Sequence, residues 1–248
     1  MNQPIFERTQ KGNPHHITIN QHIHSKHCIK QFCGKDGLVD VREMATDKVT
    51  RAKPEAKVFC TKRAWDDVTE KSRMAGFERA YFNVLTNPST FESRNHEAIS
   101  AYYLLWHFRF LAATADRTPL TINGVVPERE LDINSRELLE SRGIIYMNED
   151  ATMSTRFIYG ARFYLFHDRE MERLRGTRWG LVHCRAGELL CADNHGGHLY
   201  MPISPTAAFL GGYQDGTLTL DDVQACNRLS VATADNWLFA RDLQVCPL

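Results

Sequence analysis

The sequence predicts an α+β fold: a small N-terminal β unit, central helices, C-terminal antiparallel strands and a final helix. Three observations predict it. Apolar residues recur at period two near residues 38–51, at helical spacing from Trp65 to Arg173, and in short strand-like runs after Gly176. Strands and helices are therefore segregated along the chain, whereas a doubly wound parallel sheet alternates them. With 43% hydrophobic and 24% charged residues, the 248-residue chain has the composition of a globular protein that buries a core. Disorder, collagen and a disulfide-stapled miniprotein are excluded on the same ground.

Residues 1–14 are polar, contain the Gly12-Asn13-Pro14 turn, and read as a loose arm ahead of a single domain over 15–248. Leu38 to Met44 alternates after the hairpin-type turn Gly34-Lys35-Asp36-Gly37, and a second strand near Lys48 to Arg51 completes a β unit. Val68, Met74, Phe77, Tyr81 and Leu85 space a helix over Trp65 to Leu85 that Asn87-Pro88 ends. Ser89 and Glu92 form a capping-box pattern that opens a helix from about Thr90 to Ala115. Tyr102 to Leu111 leaves that helix no polar face, so it is expected in the core, with Trp106 buried. His107 and Arg109 interrupt its apolar run, which excludes a membrane span. Asn134 and Glu137 open a shorter helix before Gly143, and another is expected over Thr152 to Arg173. Trp179–Cys184, Glu188–Cys191, His198–Ile203 and Ala207–Gly212 read as strands. Thr219 and Asp222 cap a last helix through Ala234, and Trp237 to Leu243 closes the chain.

Thirty Lys and Arg balance thirty Asp and Glu, which argues against a dedicated non-specific DNA binder. The charge is uneven: residues 1–63 hold twelve basic and six acidic side chains, and five of the eleven histidines. Two explanations stand, a surface that faces phosphate or an acidic partner, and a segment that neutralises the acidic remainder. No apolar leader precedes residue 15, and seven scattered cysteines read as reduced thiols, so a cytoplasmic protein is expected.

Two constellations carry chemistry. His22-Ile23-His24-Ser25-Lys26-His27-Cys28 with Cys33 offers imidazole and thiolate, without the spacing of a zinc finger. Asp193-Asn194-His195-Gly196-Gly197-His198 sets a carboxylate and two imidazoles in a glycine turn, residue types that hold a divalent ion and activate water. The competing explanation of the second is a polar connection closed by an Asx-turn. Dinucleotide, Walker, zincin and nucleophile-elbow signatures are absent.

Three stretches together resemble the prokaryotic family catalogued as domain of unknown function 4238. Gln21 to Phe32 fits the frame of that family's His-His-Tyr-x-Pro segment, with His22 and Phe32 matching and Gln21 and Ser25 departing from it. The middle, with Glu78 and the Arg109 to Pro119 stretch, is similar in pattern. Ala192-Asp193-Asn194-His195 followed by Met201-Pro202-Ile203-Ser204-Pro205 resembles its Ser-Asp-Asn-Pro and Leu-Pro-Leu-Ser-Pro motifs, with His195 departing from the first and Asn227 and Ala232 to Arg241 completing the pattern. The resemblance implies an accessory protein of bacteria and their mobile elements, and assigns no activity.

Three functions remain open. As an enzyme in bacteria–phage conflict, the protein is a metal-dependent phosphodiesterase or nuclease with His22, Glu78 and Asp193 in one pocket. His22, Asp193 and His195 are then the candidate ligands of a divalent metal ion, Glu78 a further ligand or general base, and Lys26, Lys30 and Asn194 the groups that steer substrate. As an interference protein, it binds and blocks a replication or recombination protein of a competing phage, with Asp193-Asn194 tying a loop and the basic quarter docking an acidic partner. As a scaffold, its His and Asp are satisfied core groups.

Overall fold

The computed structural model describes residues 6–87, 89–125 and 130–248. The chain runs β1 (Asn20–His22), α1 (Lys26–Lys30), β2 (Val39–Glu43), β3 (Val49–Ala52) and β4 (Cys60–Lys62), then α2 (Asp67–Thr69), α3 (Ala75–Thr86) and α4 (His96–Thr114). It continues through β5 (Leu120–Thr121), α5 (Ile133–Ser141), β6 (Thr152–Met153) and α6 (Thr155–Arg173). The C-terminal part holds β7 (Trp179–Cys184), β8 (Cys191–Ala192), β9 (Tyr200–Ser204), β10 (Ala207–Gly211), β11 (Gly216–Leu218), α7 (Leu220–Thr233) and β12 (Trp237–Ala240). The mixed α+β class and the expected order of strands, helices, strands and a final helix are observed. Among the described residues, no helix is long and apolar enough to cross a membrane.

Two four-stranded sheets hold the fold. The N-terminal hairpin β2–β3 joins the C-terminal strands in the order β3-β2-β12-β8, with β12 antiparallel to both neighbours. The second sheet has the order β11-β7-β10-β9, antiparallel except where β11 runs parallel to β7. Its antiparallel part matches expectation; the parallel strand after Gly212 does not, because Tyr213-Gln214-Asp215 carries the chain back along β7. Gly180 accommodates this return: a Cβ there would lie 2.2 Å from the Gln214 carbonyl oxygen.

The central helix α4 is buried around its circumference from Ala98 to Phe110, apart from half-buried His107, as its predominantly apolar sequence requires. Trp106 is 1% exposed, and its indole N–H donates to the Asp193 carbonyl at 2.9 Å. Phe32 and Phe59 meet Phe239 of β12 edge-on at 5.0 and 5.5 Å, so the two ends of the chain share one core.

Several boundaries differ from expectation for identifiable reasons. The helix over residues 67–86 contains a π-helical stretch at Glu70–Met74, a widening that no spacing announced. Helix α4 begins at His96 under an Asn95 N-cap, whose side chain accepts the Ala98 N–H at 3.0 Å, and not at a Ser89–Glu92 box. Arg94 holds residues 89–94 out of the helix by pairing with Asp215 and donating to the Trp179 and Ser89 carbonyls. Asp132, not Asn134, caps α5, and Thr152-Met153 pairs with β5 before α6 starts. The Glu188 to Leu190 stretch is not a strand, since Asn227 accepts the Leu190 N–H and donates to the Glu188 carbonyl. Pro88, expected to stop the preceding helix, and residues 1–5 of the arm lie outside the described residues. Residues 7–10 of that arm are anchored: Glu7 pairs with Arg156 at 2.5 Å, and the Gln10 N–H donates to Glu137 at 2.6 Å. All seven cysteines are free.

Candidate functional site

The Asp193 turn leaves the edge of β8 with every polar group of the carboxylate engaged. Oδ1 accepts the Asp235 N–H at 3.0 Å, and Oδ2 accepts the Asn236 N–H at 2.9 Å and the Asn236 side-chain amide at 2.8 Å. The residue is completely buried. Burial pulls its pKa above the usual carboxylate range, while the three donors pull it back. Asn194 donates to the Thr233 carbonyl at 2.8 Å, covering the exposed carbonyl end of α7, and accepts the Gly196 N–H at 2.6 Å. Together the pair ties the end of α7 and the entry to β12 onto β8.

His195 is equally committed. Its Nδ1 accepts the Gly197 N–H at 3.1 Å, so the proton sits on Nε2 and points to the Tyr103 carbonyl at 3.3 Å. The ring stacks on Tyr103 with centroids 3.8 Å apart. Burial and neighbouring His107 lower its pKa to about 3, so it is neutral near pH 7. The glycines that follow adopt φ of +56° and +83°, which turn the chain sharply and leave His198 exposed.

The N-terminal constellation assembles around Arg109. This fully buried guanidinium from α4 donates to Glu78 of α3 at 2.6 Å and reaches Glu70 of the π-helical stretch at 3.2 Å. Glu70 also accepts the Trp65 indole N–H at 2.7 Å. Burial raises the Glu78 pKa, but the charge and hydrogen bond of Arg109 outweigh it and hold the carboxyl below its usual range. Half-buried His22 bonds the Pro54 carbonyl through Nε2 at 3.0 Å, and burial lowers its pKa. His24 packs 4.6 Å from the Trp106 ring and 3.3 Å from the Tyr102 hydroxyl, and burial lowers its pKa to about 3. Gln21 clamps the chain from inside: it accepts the Ala64 N–H and donates to the Trp65 carbonyl.

These contacts give His22, Glu78 and Asp193, the residues of the expected pocket, separate structural duties, although the Glu78 charge is felt at His22. Glu78 neutralises Arg109, whereas Asp193 fastens the 235–236 turn. Among the described residues, no three His, Cys, Asp or Glu side chains form a metal-ligand group, so His22, Asp193 and His195 do not make a metal site. Asn194 ties the end of α7 onto the turn after β8. Sequence reasoning missed Arg109 as the shared partner of Glu78 and Glu70, although an arginine inside an otherwise apolar helix is itself a signal of a buried counter-charge.

Lys26 and Lys30 are exposed on α1. Lys26 reaches Glu55 at 3.7 Å, and Arg51 pairs with Asp36 at 2.6 Å, so α1, the turn before β2 and the end of β3 share one surface. Lys30, Lys35, Lys48, Lys53 and Lys57 are exposed there and in the adjoining hairpin, and none has a carboxylate within 4.0 Å among the described residues.

Searches for a matching family model, curated protein or solved structure find none. The resemblance noted above accordingly rests on its own residues.

Proposed function

We propose that the protein acts by binding, not by chemistry. Its lysine-bearing N-terminal surface docks on an acidic face of a nucleic-acid-processing protein, a replication or recombination factor of a competing phage, and blocks it in the bacterial cytoplasm. The observation that carries this reading is the complete engagement of the Asp193 carboxylate by the 235–236 turn. In the residue best placed by sequence to ligate a metal ion, both carboxylate oxygens are already taken by donors of the protein itself. The exposed lysines without acidic partners supply the complementary charge, and a basic patch of this kind steers association and selects partners. Zero net charge suits a local protein–protein patch better than a grip on a long polyanion.

The test is retention on immobilised full-length protein from phage-infected cells, followed by reconstitution with the purified captured protein. An acidic replication or recombination protein is expected to bind with strong salt dependence, and Lys30→Glu/Lys35→Glu/Lys53→Glu is expected to weaken binding by about tenfold or more. Equal binding by the charge-reversed variant overturns the proposal. So does Mg2+- or Mn2+-dependent cleavage of DNA or RNA that disappears in a folded Glu78→Gln variant.

A further inference from the structure

A cleft of about 590 Å³ lies between the first turns of α4, the last turns of α6 and the entry to β7. This volume falls in the range of small-molecule sites. Phe77, Ala101, Met171 and Leu174 give it apolar walls. Two polar groups in its lining keep binding capacity that the described residues do not use.

The first is His167 of α6. It is 3% exposed, stacks flat on Phe77 with centroids 4.1 Å apart, and neither ring nitrogen makes a hydrogen bond. Nδ1 lies 3.9 Å from the Asp168 carboxylate, too far to count as a bond. Burial and the Arg73 guanidinium push its pKa down to about 4, against the opposing pull of the Ala101 carbonyl and Asp168. Near pH 7 the ring is therefore neutral, with one N–H and one lone pair to offer.

The second is Arg178. The other two arginines of the lining are paired, Arg73 with Asp168 and Arg175 with Glu172. Glu97 lies in the first turn of α4, where the helix dipole favours a negative charge. Arg178 has no carboxylate partner among the described residues. Its guanidinium lies 4.1 Å over the Phe91 ring and donates to the Phe91 carbonyl at 3.1 Å. His96 offers it no acceptor: Nδ1 takes the Trp179 N–H at 2.9 Å, so Nε2 carries the proton and donates to Phe91 at 2.8 Å.

We propose that this cleft binds a small amphipathic monoanion. An aromatic or short apolar body fills the space along Phe77, Met171 and Leu174, its anionic oxygens meet Arg178, and a hydrogen-bonding group meets His167. The site is independent of the lysine surface, because it draws no residue from the first 72 and stands whether or not that surface docks a partner.

The probe is 1-anilinonaphthalene-8-sulfonate, titrated into the full chain and followed by fluorescence and by the histidine ring nitrogen resonances. A single saturable site is expected, with shifts at His167. Arg178→Gln should weaken it by about tenfold, the loss expected for one charge-assisted contact. Met171→Trp, which fills the cleft, should abolish it while thermal unfolding shows both variants folded. Unsaturable fluorescence of equal strength in the three proteins overturns the proposal, as does saturable binding that leaves His167 unshifted or survives Met171→Trp.

Discussion

Asp193 places a carboxylate where no water reaches it, and the three N–H donors of residues 235 and 236 make that burial tolerable. Asn at this position keeps one acceptor oxygen and turns an amide NH2 toward donors that need an acceptor. Asp193→Asn is therefore expected to lose about 1–3 kcal/mol of stability in urea denaturation. A change below about 0.5 kcal/mol would show that the carboxylate does not hold the turn. The Asp-Asn pair was visible in the sequence as polar residues in a glycine turn. Its role was not, because its partners lie 39 to 43 residues away along the chain. Separation along the chain hid His167 too, since it occupies an ordinary helical position four residues after Phe163 and stacks on the distant Phe77.

At the scale of elements, periodicity was a reliable guide to identity and a weaker one to boundaries. The apolar stretch around Trp106 demanded a core helix, and α4 is one. Its start depended on which residue the Ala98 N–H finds, and Arg94 settles this by drawing residues 89–94 toward Asp215. Asn95→Ala is expected to cost about 1 kcal/mol, whereas Ser89→Ala should stay within about 0.5 kcal/mol. Urea midpoints of the two variants decide it, and the reverse order would restore the Ser89–Glu92 box. The Thr219–Asp222 box, by contrast, forms as its spacing predicts, with both reciprocal bonds present. Gly160 shows how tightly elements meet elsewhere: a Cβ there would lie 1.6 Å from the Asp66 carboxylate that caps α2.

The whole molecule buries His24 and His195 as neutral rings, with pKa values lowered to about 3 by burial. In the unfolded chain both titrate near the ordinary value of about 6.5, so below that pH the unfolded state binds more protons. Stability must fall as the pH drops, by on the order of 2 kcal/mol for each ring between pH 7.5 and pH 5. Glu7 and Glu78, held below the usual carboxylate range against the pull of burial by Arg156 and Arg109, add a further loss at more acid pH, as they protonate through their lowered values. Urea denaturation at pH 7.5, 6 and 5 measures the histidine part, and a flat profile would mean that these rings are not buried neutral. The sequence alone determined the α+β class, the core helix, the capped last helix and the uneven charge, since each follows from local spacing and side-chain chemistry. Only the tertiary structure decided that β12 joins β2, that Glu78 serves Arg109, that Asp193 fastens a turn, and that His167 is left without a partner. Those outcomes depend on which distant groups compete for each donor and acceptor once water is removed, and spacing along a chain carries no record of that competition.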